Sequence, residues 1–274
     1  MREKINVKLG SVQKTLLFPL WGRAMETQKT KPLLKDYKAV EIIEKIDYDF
    51  TTIDNLDEVS QLGWIARCIH LDRTIREFIE KHPRATVVNI GCGMDTTFER
   101  VDNGQIQWYD LDMPDTINLR KNFIPESNRR EYITCSVFDT SWFDRITVED
   151  NVLFIASGVL YYFEESKILN LFMKIIENYP ESEILFDAST PYGVKMANKM
   201  VIKRGGMNDD SFLKWGLKKA EDLEKWDPRI KVLESYPYFS NLGKKPDLKL
   251  STRIKMQFFD IFNISYMVHL KFQE

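Results

Sequence analysis

The chain has 274 residues, 43% of them hydrophobic and 29% charged, and its formal net charge at pH 7 is −2. This composition is typical of a folded globular protein with a substantial core, and it excludes the disordered and fibrous classes. The near-neutral charge argues against a nucleic-acid partner, and the three cysteines lack the paired spacing of a disulfide framework or a zinc site, so no metal is expected. Neither an apolar signal core nor a membrane-spanning run occurs, which predicts a cytoplasmic protein that is not membrane-bound.

Helical periodicity dominates the first part of the chain. Apolar residues recur at helical spacing over residues 11–45, with a break at Pro32, and predict two or three helices that form an N-terminal cap. A longer amphipathic helix is predicted over residues 56–80. It should end before His82, because a residue that precedes a proline avoids the helical conformation.

Strand-like runs then alternate with helix-like stretches. The predicted strands are residues 85–90, 106–109, 131–135, 151–156 and 183–187. Amphipathic stretches lie between them, notably residues 165–179. This alternation predicts an α/β fold, in which a parallel sheet carries helices on both faces and ligands bind beyond the carboxyl ends of the strands.

The alternation stops after Asp187. Residues 192–226 have a helical pattern interrupted by Gly205 and Gly206, and they predict a helical insertion that folds over the site. Two last strands, 230–236 and 264–272, are predicted around a helix at 248–259. The whole chain is therefore interpreted as one domain, with a cap (1–55), a cofactor-binding core (56–191), a lid insertion (192–228) and the last strands (229–274).

A glycine pair at the end of the first predicted strand is the strongest functional signal. Residues 87–97 read V-V-N-I-G-C-G-M-D-T-T, so Gly91 and Gly93 permit a sharp turn and close backbone approach to a ligand before a helix with free N–H groups. Thr96 replaces the third glycine of a pyrophosphate-binding motif. The pattern favours an adenosine ligand without phosphates, and a purely structural glycine turn is the alternative.

Three charged residues extend this interpretation. Asp110 and Asp112 lie 19 and 21 residues after Gly91, and a carboxylate at about this distance can accept the ribose hydroxyls. A solvated strand end is the other interpretation. Arg67 follows Ile65 and Ala66 on an apolar helix, where an unpaired cation would be costly. A bound carboxylate or an ion pair with an aspartate would resolve that cost, and the sequence leaves both open.

Several ordered blocks resemble a known family. They are T-L-L-F-P-L-W-G-R-A-M-E (15–26), W-I-A-R-C (64–68), V-N-I-G-C-G-M-D-T-T-F (88–98), Y-D-L-D-M-P-D (109–115), F-D-T-S-W-F-D (138–144) and A-S-G-V-L-Y-Y-F (156–163). Together they resemble the leucine carboxyl methyltransferase superfamily, and more closely its bacterial branch of tetracenomycin-type polyketide O-methyltransferases.

The resemblance implies S-adenosylmethionine as methyl donor on a Rossmann-like, seven-stranded, mostly parallel sheet with an N-terminal helical cap and a late helical insertion. It implies that Arg67, assisted by Arg23, holds the methionine carboxylate, that Asp112 binds the ribose, and that Ser136 and Val137 flank the adenine. The full set of expected cofactor residues is Arg23, Arg67, Gly91, Gly93, Asp110, Asp112, Ser136, Val137 and Ser157.

One position departs from the protein-modifying branch of that family. Ser157 stands where A-E-x-V-L has a glutamate, which argues against methylation of a protein's C-terminal leucine. The tandem Tyr161 and Tyr162 favour the small-molecule branch. Residues expected in an apolar acceptor pocket are Phe18, Trp21, Tyr161, Tyr162, Tyr192 and Met196, together with Phe163, Met200, Phe212 and Trp215, although core packing explains each equally well.

The sequence names no catalytic base. His70, His82 and His269 are the only histidines, and a structural role is favoured for each. A carboxylate acceptor, with a pKa of about 4, needs no base, whereas a phenol near 10 would benefit from one. The predicted function is O-methylation of a hydroxyl or carboxylate on a small molecule. The alternatives are methylation of a peptide C-terminus, a nicotinamide-dependent oxidoreductase and a non-catalytic nucleotide-binding module.

Overall fold

A computed structural model describes residues 4–10, 12–54, 56–240, 242 and 248–274. The strands are β1 (Ile5–Asn6), β2 (Ile46–Asp47), β3 (Thr86–Ile90), β4 (Gln107–Asp112), β5 (Arg130–Thr134), β6 (Val152–Ala156), β7 (Glu183–Ser189), β8 (Ile230–Pro237) and β9 (Ser265–Phe272). The α-helices are α1 (Leu17–Thr27), α2 (Tyr37–Lys45), α3 (Thr51–Asp54), α4 (Glu58–Lys81), α5 (Phe98–Val101), α6 (Pro114–Arg120), α7 (Glu165–Asn178), α8 (Pro191–Ala197) and α9 (Leu250–Ile261).

Seven strands form the central sheet in the order β5-β4-β3-β6-β7-β9-β8. Strands β3 to β7 are parallel to their neighbours within this group, and β9 runs antiparallel to both β7 and β8. The predicted seven-stranded, mostly parallel sheet is therefore confirmed. Because parallel strands share one carboxyl edge, the loops that follow β3, β4, β5 and β6 meet there.

Helices cover both faces of the sheet, as the alternating pattern predicted. Every residue of β3 and β6 is buried, which explains why their sequences are continuous apolar runs without alternation. On one face α7 contributes Ile168 and Phe172 to the core, and on the other α4 contributes Leu71 and Ile75.

The N-terminal region forms its own small core against the sheet. A 3₁₀ turn at Gln13–Leu16 precedes α1, and Pro32 lies in the connection to α2. The Asp36 side chain begins α2 by accepting a hydrogen bond from Ala39 N at 2.9 Å. The parallel pairing of β1 with β2 was not predicted. The predicted boundaries at Ser11 and at residue 55 fall outside the described residues.

The insertion after β7 combines helical forms. α8 continues into a π-helical turn at Asn198–Ile202, and Gly206 ends it with a φ of 76°. Short 3₁₀ turns follow at Asp209–Ser211 and Ala220–Lys225. A Cβ on Gly205 would lie 2.4 Å from Phe18 Cζ, so the insertion packs directly on α1.

Candidate active site

A cavity of about 370 Å³ lies at the carboxyl edge of the sheet. Its walls come from the loops after β3 to β6, from α1 and α4, and from the insertion. This volume is in the range of cofactor and small-molecule sites. The loops that connect the alternating strands and helices thus meet at one cavity.

The glycine turn after β3 forms one wall of this cavity. Gly91 and Gly93 have φ values of 62° and 48°, a region that side chains rarely adopt. Gly91 N and Cys92 N both donate to Leu111 O, at 2.8 and 3.1 Å. A Cβ on Gly91 would lie 2.6 Å from Val159 Cγ2. Both the backbone conformation and the close approach therefore require glycine at position 91.

Two buried arginines support the glycine turn by donating hydrogen bonds to its carbonyl groups. Arg120 Nη1 donates to Gly93 O at 3.1 Å and to Asp95 O at 2.6 Å. Arg23 Nη2 donates to Met94 O at 2.7 Å, while its Nε pairs with Asp36 at 2.8 Å. Arg23 lines the cavity as predicted, but these contacts make it a support of the loop.

The prediction that Asp110 contacts the cofactor is corrected. Its carboxylate is fully buried and pairs with Arg120 at 2.9 Å and with Arg130 at 2.8 Å. Burial alone would raise the pKa of Asp110, but the two guanidinium groups hold it below its usual range. Asp110 does not line the cavity, and it anchors Arg120 instead.

The expected helix start is also different. α5 has only four residues, Phe98–Val101, and the Asp95 carboxylate already accepts hydrogen bonds from Thr97 N at 3.2 Å and Thr97 Oγ1 at 2.8 Å. Thr96 Oγ1 donates to Asp36 at 2.5 Å. Side chains of the protein therefore occupy the place that a phosphate would take at a helix N-terminus.

Asp112, two residues beyond Asp110, lines the cavity. Its Oδ2 accepts a hydrogen bond from Gly93 N at 2.8 Å and its Oδ1 accepts one from Met113 N at 2.7 Å. Burial raises the pKa of this carboxyl group. Each oxygen retains a lone pair that can accept a hydrogen bond from a hydroxyl group. Ser136, Val137 and Ser157 also lie in the cavity wall.

Arg67 projects from α4 into the opposite side of the cavity. Its Nη1 donates to Asp187 Oδ2 at 3.1 Å and to the Tyr161 hydroxyl at 3.3 Å. The ion pair with an aspartate, one of the two alternatives for this residue, is thereby confirmed. Its buried Nε has no hydrogen-bond partner, and Nη2 donates to no acceptor among the described residues. Nε and Nη2 are therefore the donors of this guanidinium that have no partner among the described residues.

Asp187 and Tyr238 are site residues that the sequence reasoning missed. Asp187, near the end of β7, also accepts hydrogen bonds from Gly158 N and from the Tyr238 hydroxyl, both at 2.5 Å. Burial raises the pKa of Tyr238 well above its usual value. The phenol therefore stays protonated, and its hydroxyl donates the hydrogen bond to Asp187. A carboxylate inside an otherwise apolar strand was the available signal. Together these groups fix the orientation of Arg67.

Part of the cavity wall is apolar and aromatic. Phe18, Tyr161, Tyr162 and Met196 line it, as do Phe163 and Met200. Four expected residues do not. Trp21 is 6% exposed in the N-terminal core, and Tyr192 is 58% exposed at the first turn of α8. Phe212 lies under Lys203, and Trp215 packs against Phe186. Amphipathic helices use large apolar residues for core and cavity alike, so their sequence pattern does not separate the two.

The described residues that line the cavity include no histidine, lysine or glutamate. Burial raises the pKa values of Tyr161 and Tyr162, which keeps both phenols neutral near pH 7. His70 Nε2 lies 2.8 Å from Tyr238 O and therefore donates to it, which agrees with the structural role favoured for this residue. His269 pairs with Glu183 at 2.7 Å. The carboxylates in the described wall are Asp95 and Asp112, and both accept hydrogen bonds that hold the glycine turn and the residues after it.

The described residues contain neither a metal-binding cluster nor a membrane-spanning helix. No group of three or more histidine, cysteine or acidic side chains there is arranged to hold a metal ion. Across the same residues, no helix is both long and apolar enough to span a bilayer. The cysteines Cys68, Cys92 and Cys135 are all free thiols.

Known proteins are similar to this chain in sequence and in fold. Residues 17–176 match the family model of leucine carboxyl methyltransferase. The chain is 29% identical over 231 residues to the tetracenomycin polyketide synthesis O-methyltransferase TcmP of Streptomyces glaucescens. The aligned region covers 84% of this chain and 84% of that protein. It is 27% identical over 267 residues to the S-adenosyl-L-methionine-dependent methyltransferase dpfgK of Gibberella zeae, with 88% of this chain and 89% of that protein covered. A duf574 family protein from Streptomyces avermitilis has a TM-score of 0.56 at 11% identity, covers 79% and 86% of the two chains, and shares the fold.

Proposed function

Because this chain belongs to the leucine carboxyl methyltransferase family, we propose that it transfers a methyl group from S-adenosylmethionine to an anionic oxygen, a carboxylate above all, of a small molecule. The observation that carries the proposal is a single cavity in which the unpaired donors of Arg67 lie beside an aromatic wall that includes Tyr161, with no histidine, lysine or glutamate among the described lining residues. The first feature fits the cofactor and the second fits the acceptor.

The residues present fit the cofactor. The free edge of Arg67 suits the methionine carboxylate, because a guanidinium binds carboxylates through two parallel hydrogen bonds. Asp112 retains lone pairs for the ribose hydroxyls, and Ser136 and Val137 would flank the adenine. When bound, S-adenosylmethionine supplies a methyl group already activated by a sulfonium. The protein's own part is to orient both partners and exclude water, which can contribute roughly 7–11 kcal/mol.

The described wall lacks histidine, lysine and glutamate, and its two aspartates already hold the glycine turn, which supports an acceptor that arrives ionised. A carboxylic acid, with a pKa of about 4, loses its proton in water, whereas a phenol near 10 would have to lose it inside the site. The insertion also favours an anion. Its residues 192–228 include eight lysines and arginines and six aspartates and glutamates, a net charge of +2 in a chain whose net charge is −2. A positive net charge beside the cavity raises the encounter rate with anionic molecules.

The test is methyl transfer from labelled S-adenosylmethionine to paired acceptors, each an aromatic carboxylic acid and its phenolic analogue without the carboxyl group. We expect label in the acid as a base-labile ester, with the phenol at least tenfold slower. Transfer only to phenols would overturn the carboxylate assignment, and transfer only to a peptide C-terminus would overturn the small-molecule assignment. Failure of calorimetry to detect binding of S-adenosylmethionine or its demethylated product would overturn the cofactor site.

Gly158 provides a sharper test of the Arg67 contact. Gly158 has a φ of 78°, and a Cβ there would lie 2.8 Å from Arg67 Nη1. Gly158→Ala is therefore expected to displace the guanidinium and weaken cofactor binding about tenfold, a change of about 1.4 kcal/mol. Calorimetric titration with S-adenosylmethionine measures this change.

Gly104→Ala is the matched control. Gly104 has a φ of 81°, but a Cβ there would meet nothing within 4 Å. Both variants thus introduce the same backbone strain, about 1–2 kcal/mol, and only one presses on Arg67. Equal cofactor affinity in the two variants would contradict the proposed role of the Arg67 orientation.

A further inference from the structure

An exposed apolar face runs along α9. It consists of Leu250, Ile254, Phe258, Ile261 and Phe262, which are between 43% and 77% exposed. These five residues are half of the ten large hydrophobic side chains that are exposed in the described part of the chain. At roughly 100 Å² or more for each side chain, the face amounts to several hundred Å² of contiguous apolar surface. Monomeric proteins rarely expose a larger patch without a use for it.

The opposite side of α9 packs against the rest of the protein, which fixes the helix in place. Thr252 is 5% exposed and donates to Glu58 at 2.5 Å. Lys255 pairs with Asp57 at 2.5 Å, and Phe259 packs edge-on against Phe239 at a centroid distance of 6.2 Å. Phe259 and Ile264 also line the cavity. The exposed face is therefore the outer side of an ordered helix that forms part of the cavity wall.

The spacing and charge of this helix are self-complementary. Leu250, Ile254, Phe258 and Phe262 are spaced four residues apart and are symmetric about a point between Ile254 and Phe258. Lys249 and Arg253 lie at the N-terminal end, whereas the negative end of the helix dipole lies at the C-terminal end, where Asp260 also accepts a hydrogen bond from Phe239 N at 3.1 Å. An antiparallel pair of such helices brings each basic end to the acidic end of the other.

We propose that this face is the interface of a symmetric homodimer in which two copies of α9 pack antiparallel. Ile254 then lies against Phe258 of the second copy, and Leu250 lies against Phe262 of the second copy. Isologous contacts of this kind are the commonest in soluble oligomers. An anionic membrane surface is the less favourable occupant, because only one end of the helix would attract it and Asp260 would oppose it. The proposal does not depend on the proposed function.

The first test is the mass in solution by light scattering after gel filtration. The wild-type protein is expected at twice the 32.3 kDa of one chain. Phe258→Glu with Ile261→Glu is expected at the single-chain mass, with a cooperative unfolding transition at a lower temperature because the monomer lacks the stabilisation of association. Leu233→Glu is the control, because Leu233 is 45% exposed on β8, away from this face. That variant should remain dimeric. A wild-type protein that stays monomeric at high micromolar concentration would overturn the proposal, whether or not it binds vesicles of phosphatidylglycerol.

A cross-linking experiment tests the antiparallel arrangement. A mixture of Ile254→Cys and Phe258→Cys proteins is expected to form disulfide-linked heterodimers under mild oxidation, at least fivefold more than either variant alone. Self-linking of Ile254→Cys alone would indicate a parallel arrangement and would overturn the assignment. The wild-type protein supplies the background from Cys68, Cys92 and Cys135, which are buried or half-buried.

Discussion

Arg67→Met is expected to weaken binding of S-adenosylmethionine by roughly 10- to 150-fold, because hydrogen bonds to charged groups contribute about 1.5–3 kcal/mol. Methionine fills the volume of the aliphatic stem but offers no donor. The structure gives a reason to expect the upper part of this range, since the Nε of Arg67 is buried without any partner in the protein. Calorimetric titration of the purified variant measures the effect.

This single substitution has a second consequence that must be separated from the first. It leaves the buried carboxylate of Asp187 without its cation, and breaking a buried ion pair in this way costs about 3–5 kcal/mol of unfolding free energy. Arg67→Met with Asp187→Asn removes both charges. The double variant is expected to regain most of the lost stability in urea unfolding while its cofactor affinity stays low.

The two measurements distinguish a binding role from a structural role. If the double variant binds S-adenosylmethionine as tightly as the wild type, Arg67 serves only to neutralise Asp187, and the proposed contact with the methionine carboxylate is wrong. Tyr238→Phe gives a milder version of the same test. It removes one hydrogen bond to the buried Asp187 and should raise the dissociation constant several-fold while lowering the free energy of unfolding by about 1–3 kcal/mol.

Arg120→Met is expected to lower the free energy of unfolding by about 3–5 kcal/mol. Arg120 and Asp110 are both fully buried, so the variant leaves this carboxylate with Arg130 as its one cationic partner among the described residues. It also leaves Gly93 O and Asp95 O without their donor. Cofactor affinity should fall in the same variant, because the glycine turn loses its support. Urea unfolding and calorimetry measure the two effects.

Arg129→Met is the control for this prediction. Arg129 also pairs with an aspartate, Asp102, but both side chains are partly exposed. Exposed ion pairs contribute about 0–1 kcal/mol, so this variant should be nearly as stable as the wild type. Similar losses for the two variants would show that the buried position of Arg120 does not matter.

The strands and the main helices were predictable because they depend on local patterns. The buried runs of β3 and β6 begin within one residue of their predicted positions, and α4 begins and ends within two. The glycine turn was predictable for a similar reason. Its function depends on two residues whose backbone freedom is an intrinsic property, so Gly91 and Gly93 could be identified without any knowledge of their neighbours.

Contacts between distant segments were not predictable in the same way. Asp110 and Asp112 both follow apolar residues in one short block, but only the twist and register of β4 place one under the loop and the other in the cavity. Trp21 and Phe18 share one helix and one apolar cluster, but only Phe18 also lines the cavity. The support of the loop by Arg120 likewise depends on how α6 returns to the sheet.

The sequence by itself determined the alternation of strands and helices, the glycine turn and the family of the chain, since each of these is written in residues close together or in ordered blocks. Only the tertiary structure decided how the charges are shared. Arg67 and Asp187 are 120 residues apart, and their pairing arises because α4 crosses the sheet above the end of β7. A buried cation must find its partner wherever the fold places a carboxylate, and that position is a property of the packed molecule.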